Sequence, residues 1–362
     1  MAQNNLGDCY RFGEGVDKNE TKAFDWYLKS AIAGCVQGQC NLGDCYRLGK
    51  GINKDETKAF EFYLKSAVAG CAEGQSNLGD CYQYGKGIDK DEVKAFEWYL
   101  KSAVAGCAQG QCNLGDCYAK AIGTDKNETK AFDWYLKSAI AGCVQGQCNL
   151  GYCYTNSIGT YKNGTKAFEW CLKSAAAGCV QGQCNLGHCY AKAIGTDKNE
   201  MKAFELYLKA AEGENKMAQN NLGDCYRLGK GIDKNEIKAF EWYLKAAEGE
   251  NEMAQNNLGD CYRLGIGINK DETKAFEFYL KSAVAGYAQG QCNLGCCYQC
   301  GIGTDKDEVK AFEWYLKSAV AGYAQGQHNV GYCYQYGKGI NKDETKAFEW
   351  YLKAAESGNK MM

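Results

Sequence analysis

The sequence predicts an all-α protein: an α-solenoid of ten 36-residue helix-turn-helix units, about twenty antiparallel helices in all. Three observations lead there. The hexapeptide Asn5-Leu6-Gly7-Asp8-Cys9-Tyr10 returns, with slight changes in some copies, from Asn41, Asn77, Asn113, Asn149, Asn185, Asn221, Asn257, Asn293 and Asn329, always 36 residues on. Each unit carries two helix-period apolar patterns separated by glycines. The second pattern is apolar over more than half its circumference, so a lone hairpin cannot bury it and units must stack. The 362 residues therefore read as one array, with the last two beginning an eleventh unit.

The third unit shows each element in order. Helix A is predicted over Ala72 to Tyr84, where Leu78, Cys81 and Tyr82 share one face and Gly85 and Gly87 end it. Asp91 is placed to cap helix B, with Glu92 in its positive first turn. Helix B is predicted from about Glu92 to Ala105, with Ala95, Tyr99 and Ala103 on one stripe, Phe96 and Leu100 beside it, and Gly106 closing it.

The pattern Leu78-Gly79, Tyr82, Gly85, Gly87-Ile88, Asp91, Lys94-Ala95, Trp98-Tyr99, Lys101, Ala103 and Gly106 resembles the Sel-1-like repeat (SLR), a branch of the tetratricopeptide superfamily. The resemblance covers essentially the whole chain. It implies a right-handed solenoid whose helices A line the concave surface. It also implies an adaptor role in signalling or degradation complexes, including membrane-associated ubiquitin-ligase machinery. The family often carries a proline between its helices; this chain has none, and glycines set the turn in Gly87-Ile88-Asp89-Lys90-Asp91.

Charge is balanced, 42 Lys+Arg against 44 Asp+Glu, and each Lys has an acidic neighbour. Without a basic cluster to neutralise phosphates, a nucleic-acid partner is not expected. No apolar stretch approaches the roughly 18–20 residues of a membrane span, and the first residues do not form a signal peptide, so the expectation is cytoplasmic. Neither end resembles a polar capping repeat, which reads as a segment of a longer array. That leaves two further readings: a regulatory arm of a larger signalling protein such as a kinase, or a module self-associating through uncapped ends.

Ten of the 23 cysteines occupy one slot between the core Leu and Tyr of helix A, from Cys9 to Cys333. They read as small apolar core residues. Five more (Cys35, Cys71, Cys107, Cys143, Cys179) sit at the turn into helix A, and five (Cys40, Cys112, Cys148, Cys184, Cys292) on another helix A stripe. The resemblance raises a disulfide alternative, since secreted cysteine-rich members staple each helix pair; the units of Cys9, Cys225, Cys261 and Cys333 hold one cysteine each and cannot follow it. Cys292, Cys296 and Cys300 share a helix face, with His328 one unit on at the slot of Cys292. Cys292, Cys296 and His328 form the metal candidate, because thiols and imidazole are zinc ligands; Cys300 lies about 12 Å from Cys292, too far to share the ion. Drift among duplicated units is the competing explanation. Cys184, His188 and Cys148 repeat the motif in outline, and Cys297-Tyr298-Gln299-Cys300 is a redox motif without its strand-then-helix context. No motif asks for a cofactor.

Because the units are nearly identical, variable positions stand out. The stripe of helix A opposite the core varies most, and by the resemblance it faces the groove. Its middle slot reads Asp8, Asp44, Asp80, Asp116, Tyr152, His188, Asp224, Asp260, Cys296 and Tyr332. Its last slot reads Phe12, Leu48, Tyr84, Lys120, Asn156, Lys192, Leu228, Leu264, Cys300 and Tyr336. This stripe is the candidate surface for a protein or peptide partner, its tyrosines as anchors and its aspartates drawing a basic segment; solvated drift is the alternative. The repeated tryptophans read as packing between units. With two histidines 140 residues apart and no nucleophile motif, catalysis is not expected. Cysteine-rich members linked to β-lactam binding leave a remote enzyme-like alternative. Gly164 in a helix B first turn, and Cys171 where Tyr is usual, mark the fifth unit as the weakest internal interface.

Overall fold

The computed structural model describes residues 1–359, so Lys360, Met361 and Met362, the last two being the start of the expected eleventh unit, lie outside the described residues. The described residues form twenty α-helices and no strand, paired as ten hairpins. The first five hairpins are α1 (Ala2–Phe12) with α2 (Glu20–Ile32), α3 (Val36–Leu48) with α4 (Glu56–Val68), α5 (Ala72–Tyr84) with α6 (Glu92–Val104), α7 (Ala108–Lys120) with α8 (Glu128–Ile140), and α9 (Val144–Asn156) with α10 (Gly164–Ala176). The rest are α11 (Val180–Lys192) with α12 (Glu200–Glu212), α13 (Lys216–Leu228) with α14 (Glu236–Glu248), α15 (Glu252–Leu264) with α16 (Glu272–Val284), α17 (Ala288–Cys300) with α18 (Glu308–Val320), and α19 (Ala324–Tyr336) with α20 (Glu344–Asn359). Contacts divide the chain into two compact units. One comprises Met1–Asn185 with Ile194–Asp197, the other Leu186–Ala193 and the chain from Lys198 onward.

The first unit is an α-solenoid of successively stacked hairpins. Asp91 caps α6 by accepting from the Lys94 amide, and Gly85 ends α5 in the left-handed conformation at φ 66°. Helix α6 stops at Val104, one residue short of the sequence expectation, because Ala105 already turns toward Gly106 at φ 87°. Within each hairpin the helices cross at the Leu-Gly pair: a methyl on Gly79 would lie 2.6 Å from the Tyr99 ring. Between hairpins, Gly87 packs on the Glu56 carbonyl, the Phe60 and Tyr82 rings meet edge to face at 5.7 Å, and Trp98 covers the cluster of Tyr63, Leu78 and Cys81. The tryptophans thus pack between repeats, their outer faces covered by lysines such as Lys101 at 4.0 Å from the Trp98 ring.

The second unit uses the same devices. Gly223 lies against the Tyr243 ring, Gly267 against the Glu236 carbonyl, and Phe240 meets Tyr262 edge to face at 5.5 Å. Tyr279, Leu294 and Cys297 form one of its clusters, with Trp314 packed on it. Among the described residues no helix is long and apolar enough to cross a membrane.

Candidate functional site

Tyrosines of helix B determine what the middle slot of the variable stripe does. Tyr63 lies fully buried in α4 with its hydroxyl reaching α3, where it donates to Asp44 Oδ1 at 2.7 Å. The same bond joins Tyr27 to Asp8, Tyr99 to Asp80, Tyr135 to Asp116, Tyr243 to Asp224 and Tyr279 to Asp260, at 2.6–2.7 Å. Arg47 and Arg263 add a bond from Nε to the tyrosine oxygen at 2.9 and 3.0 Å, and each pairs its guanidinium with its aspartate. Arg227 pairs with Asp224 at 3.2 Å. The aspartates are therefore half-buried acceptors within the hairpin, and three already hold an arginine. Burial raises the Asp80 carboxyl above its ordinary value, further reducing its appeal to a basic segment.

Where the aspartate is missing, the hairpin adjusts. Tyr315 donates to Gln299 at 2.6 Å and to Cys296 Sγ at 3.3 Å, and Tyr351 donates to Gln335 at 2.7 Å. In the fifth hairpin the tyrosine itself is replaced by buried Cys171, and Tyr152 in the aspartate's slot is 51% exposed. Tyr332 is exposed as well, with its ring 4.7 Å from that of Tyr336. His188 is half-buried, and its pKa falls below the ordinary value through burial and then the nearby Lys192.

The last slot behaves differently: all ten of its residues are exposed, from Phe12 to Tyr336. Tyr84 has Lys86 over its ring at 5.0 Å, Lys120 lies 3.5 Å from Asp116, and Asn156 bonds the Tyr152 carbonyl. Lys192 lines a shallow depression with Lys198, Glu200 and Lys230. In four helices A of the first unit and four of the second, the last slot thus presents apolar or aromatic surface or a surface cation.

All 23 cysteines are free thiols. The core slot is closed, and burial pushes Cys81 and Cys117 up to about 12. Among the described residues the ligand atoms of the metal candidate Cys292, Cys296 and His328 do not all come within 4.8 Å of one another. Cys296 Sγ accepts from the Tyr315 hydroxyl at 3.3 Å, the Asn329 amide donates to Cys292 Sγ at 3.5 Å, and the His328 ring lies against Tyr351 at 5.4 Å. Helix α17 puts both sulfurs on one face, while His328 on α19 packs on Tyr351. A different thiol pairing recurs in the first unit. Cys40 neighbours Cys71, Cys112 neighbours Cys143 and Cys148 neighbours Cys179, each pairing a buried thiol of one helix A with the cysteine that opens the next, while Cys71 and Cys143 donate to Gln37 Oε1 at 3.6 Å and Gln109 Oε1 at 3.5 Å. Interaction with the buried thiol lowers Cys71 and Cys143 to about 5 and Cys179 to about 6, and raises the buried partners.

A sequence model of the Sel1 repeat matches ten consecutive segments, 1–35, 36–71, 72–107, 108–143, 144–179, 180–215, 216–251, 252–287, 288–323 and 324–359. The chain belongs to the Sel1 repeat family. Among solved structures it is similar to a protective antigen of uropathogenic Escherichia coli with an SLR fold, at 30% identity and TM-score 0.56, covering 99% of this chain and 86% of that one. It is also similar to a Sel1 repeat protein from Oxalobacter formigenes, at 27% identity and TM-score 0.55, covering 83% and 87%. Comparison with curated proteins gives no match.

Two features of these Sel1 repeats escaped the sequence reading. The motif asparagine is a donor to the preceding repeat: Asn41 bonds Asn4 at 2.9 Å, Asn113 bonds Ser76 at 3.3 Å, Asn149 bonds Cys112 at 3.7 Å and Asn293 bonds Asn256 at 2.8 Å. The slot holding Cys40, Ser76 or Asn220 is thus an acceptor slot, which explains why those three residue types exchange there. The turn cysteines are N-caps, Cys71 and Cys179 accepting from the amides of Gly74 and Gly182 as Asn215 and Asn251 do from Ala218 and Ala254.

Proposed function

We propose that the chain is a non-enzymatic protein–protein interaction scaffold that binds a partner segment along the exposed, groove-facing stripe of its helices A. The observation that carries this reading is the contrast between two neighbouring slots. The middle slot's aspartates are engaged inside the hairpin, whereas the last slot is exposed in every repeat and varies in chemistry from repeat to repeat. Tyr84, Tyr152, Tyr332 and Tyr336 supply amphipathic anchors with few rotatable bonds, the type enriched at interfaces. Leu48, Leu228 and Leu264 add apolar area beside them. The middle-slot aspartates make their contribution through the tyrosine bonds that hold helix A against helix B. Free thiols, most of them buried, suit a reducing compartment such as the cytoplasm.

Capture from source lysate tests this. The chain is compared with a variant carrying Leu48→Lys, Tyr84→Lys, Leu264→Lys and Tyr336→Lys, all at exposed positions. Proteins retained by the parent and lost by the variant support the stripe as the docking face. Equal retention by both refutes it.

A further inference from the structure

We infer that Cys40, Cys71 and Glu73 form a zinc-binding site between the second and third repeats. The Sγ atoms of the two cysteines and a carboxylate oxygen of Glu73 lie within 4.8 Å of one another, the one such group of His, Cys, Asp or Glu among the described residues. Zinc–sulfur bonds of about 2.3 Å in a tetrahedron set the sulfurs about 3.8 Å apart, so side-chain adjustments of roughly 1 Å complete the site. Cys40 is 2% exposed and forms its floor, while Cys71 and Glu73 open into a surface depression shared with Gln37 and Cys35. Ions thus have an entry path, and the fourth coordination position faces it.

The surroundings orient the ligands. Asn77 donates to Cys40 Sγ at 3.6 Å, the Gly74 amide donates to Cys71 Sγ at 3.5 Å, and Gln37 Nε2 donates to Glu73 Oε2 at 2.8 Å. These donors hold the three ligand atoms in place, and the Cys71 thiol donates in turn to Gln37 Oε1 at 3.6 Å. Binding leaves two thiolates and a carboxylate on the ion, the buried Cys40 thiol and any Cys71 still protonated giving up their protons to solvent. Two sulfurs with one oxygen suit borderline zinc better than the oxygen-seeking Mg²⁺ or Ca²⁺.

The array holds its own controls. Cys112–Cys143 and Cys148–Cys179 repeat the dithiol, but the slot of Glu73 holds Gln145 and Gln181 there, and elsewhere in the array it is Gln or Met. Glu73 is the single carboxylate in that slot, and it stands beside a dithiol.

The test titrates the reduced full-length chain with Zn²⁺ against a competing chelator. One equivalent is expected to bind at least about tenfold tighter than any other. Cys71→Ser and Cys40→Ser abolish it; serine already occupies the Cys40 slot at Ser76, so folding is retained. Glu73→Gln weakens it by about tenfold or more, and Gln145→Glu creates a second tight equivalent. Absence of a tight equivalent overturns the proposal. So does an equivalent unaffected by Cys71→Ser, or three that ignore Glu73→Gln and mark bare dithiols.

Discussion

A serine and a glycine eight residues apart govern how closely one hairpin approaches the next. Ser66 donates to the Val36 carbonyl at 3.0 Å, and a methyl on Gly74 would lie 2.5 Å from its Oγ. From Ser30 with Gly38 to Ser318 with Gly326, each such pair is either Ser with Gly or, as at Ala210 with Ala218 and Ala246 with Ala254, Ala with Ala. The volumes trade, so Gly74→Ala alone should destabilise by about 1–3 kcal/mol, and adding Ser66→Ala should recover most of it. Urea denaturation of the four-member cycle reads this, and additive losses would refute it. The pair is visible in the sequence, but an apolar-periodicity reading passes over two small residues whose meaning lies in the space between repeats. Helix caps were more legible, with exceptions: Ala121 at φ 57° and Glu214 at φ 63° stand where most repeats have glycine. Ala121→Gly should raise stability by about 1 kcal/mol in the same assay. Thiol chemistry was not legible, because Cys112 and Cys143 are 31 residues apart. The neighbouring buried Cys112 thiol lowers Cys143 to about 5, which predicts a thiolate at neutral pH. Its alkylation should therefore plateau above about pH 6 and fall as pH drops through about 5. A rate still climbing toward pH 9 would contradict the lowered pKa.

At the scale of the hairpin, the Asp–Tyr bond is the link between helices A and B, and α9 with α10 lacks both members. Cys171 replaces the tyrosine ring, and Gly164 removes the acidic residue from the first turn of α10. Amides of α9 and α10 should exchange about tenfold or more faster than those of α5 and α6, a difference near 1.4 kcal/mol. Restoring the usual pair with Tyr152→Asp and Cys171→Tyr should remove most of that difference. Unchanged exchange in the double variant would show that the bond does not hold the hairpin. Helix positions and the core stripe were readable because period, caps and turn glycines agree ten times over. The role of Asp44 was not, since its partner Tyr63 lies 19 residues on in another helix. A stripe analysis of helix A alone gives both slots of the variable face the same standing.

For the whole chain, the candidate surface competes with another. Ile32, Val68, Val104 and Ile140, at the ends of helices B in the first unit, are each more than 70% exposed. Both rows offer apolar contact, and they differ in chemistry: one is branched aliphatic, the other mixes tyrosine, leucine and lysine. Hydroxyl-radical footprinting of the chain with and without its captured partner separates them directly. The account predicts protection of Leu48, Tyr84, Tyr152, Leu264 and Tyr336, with Ile32, Val68, Val104 and Ile140 unchanged. Protection confined to the helix B row, with the tyrosines still reactive, would contradict it.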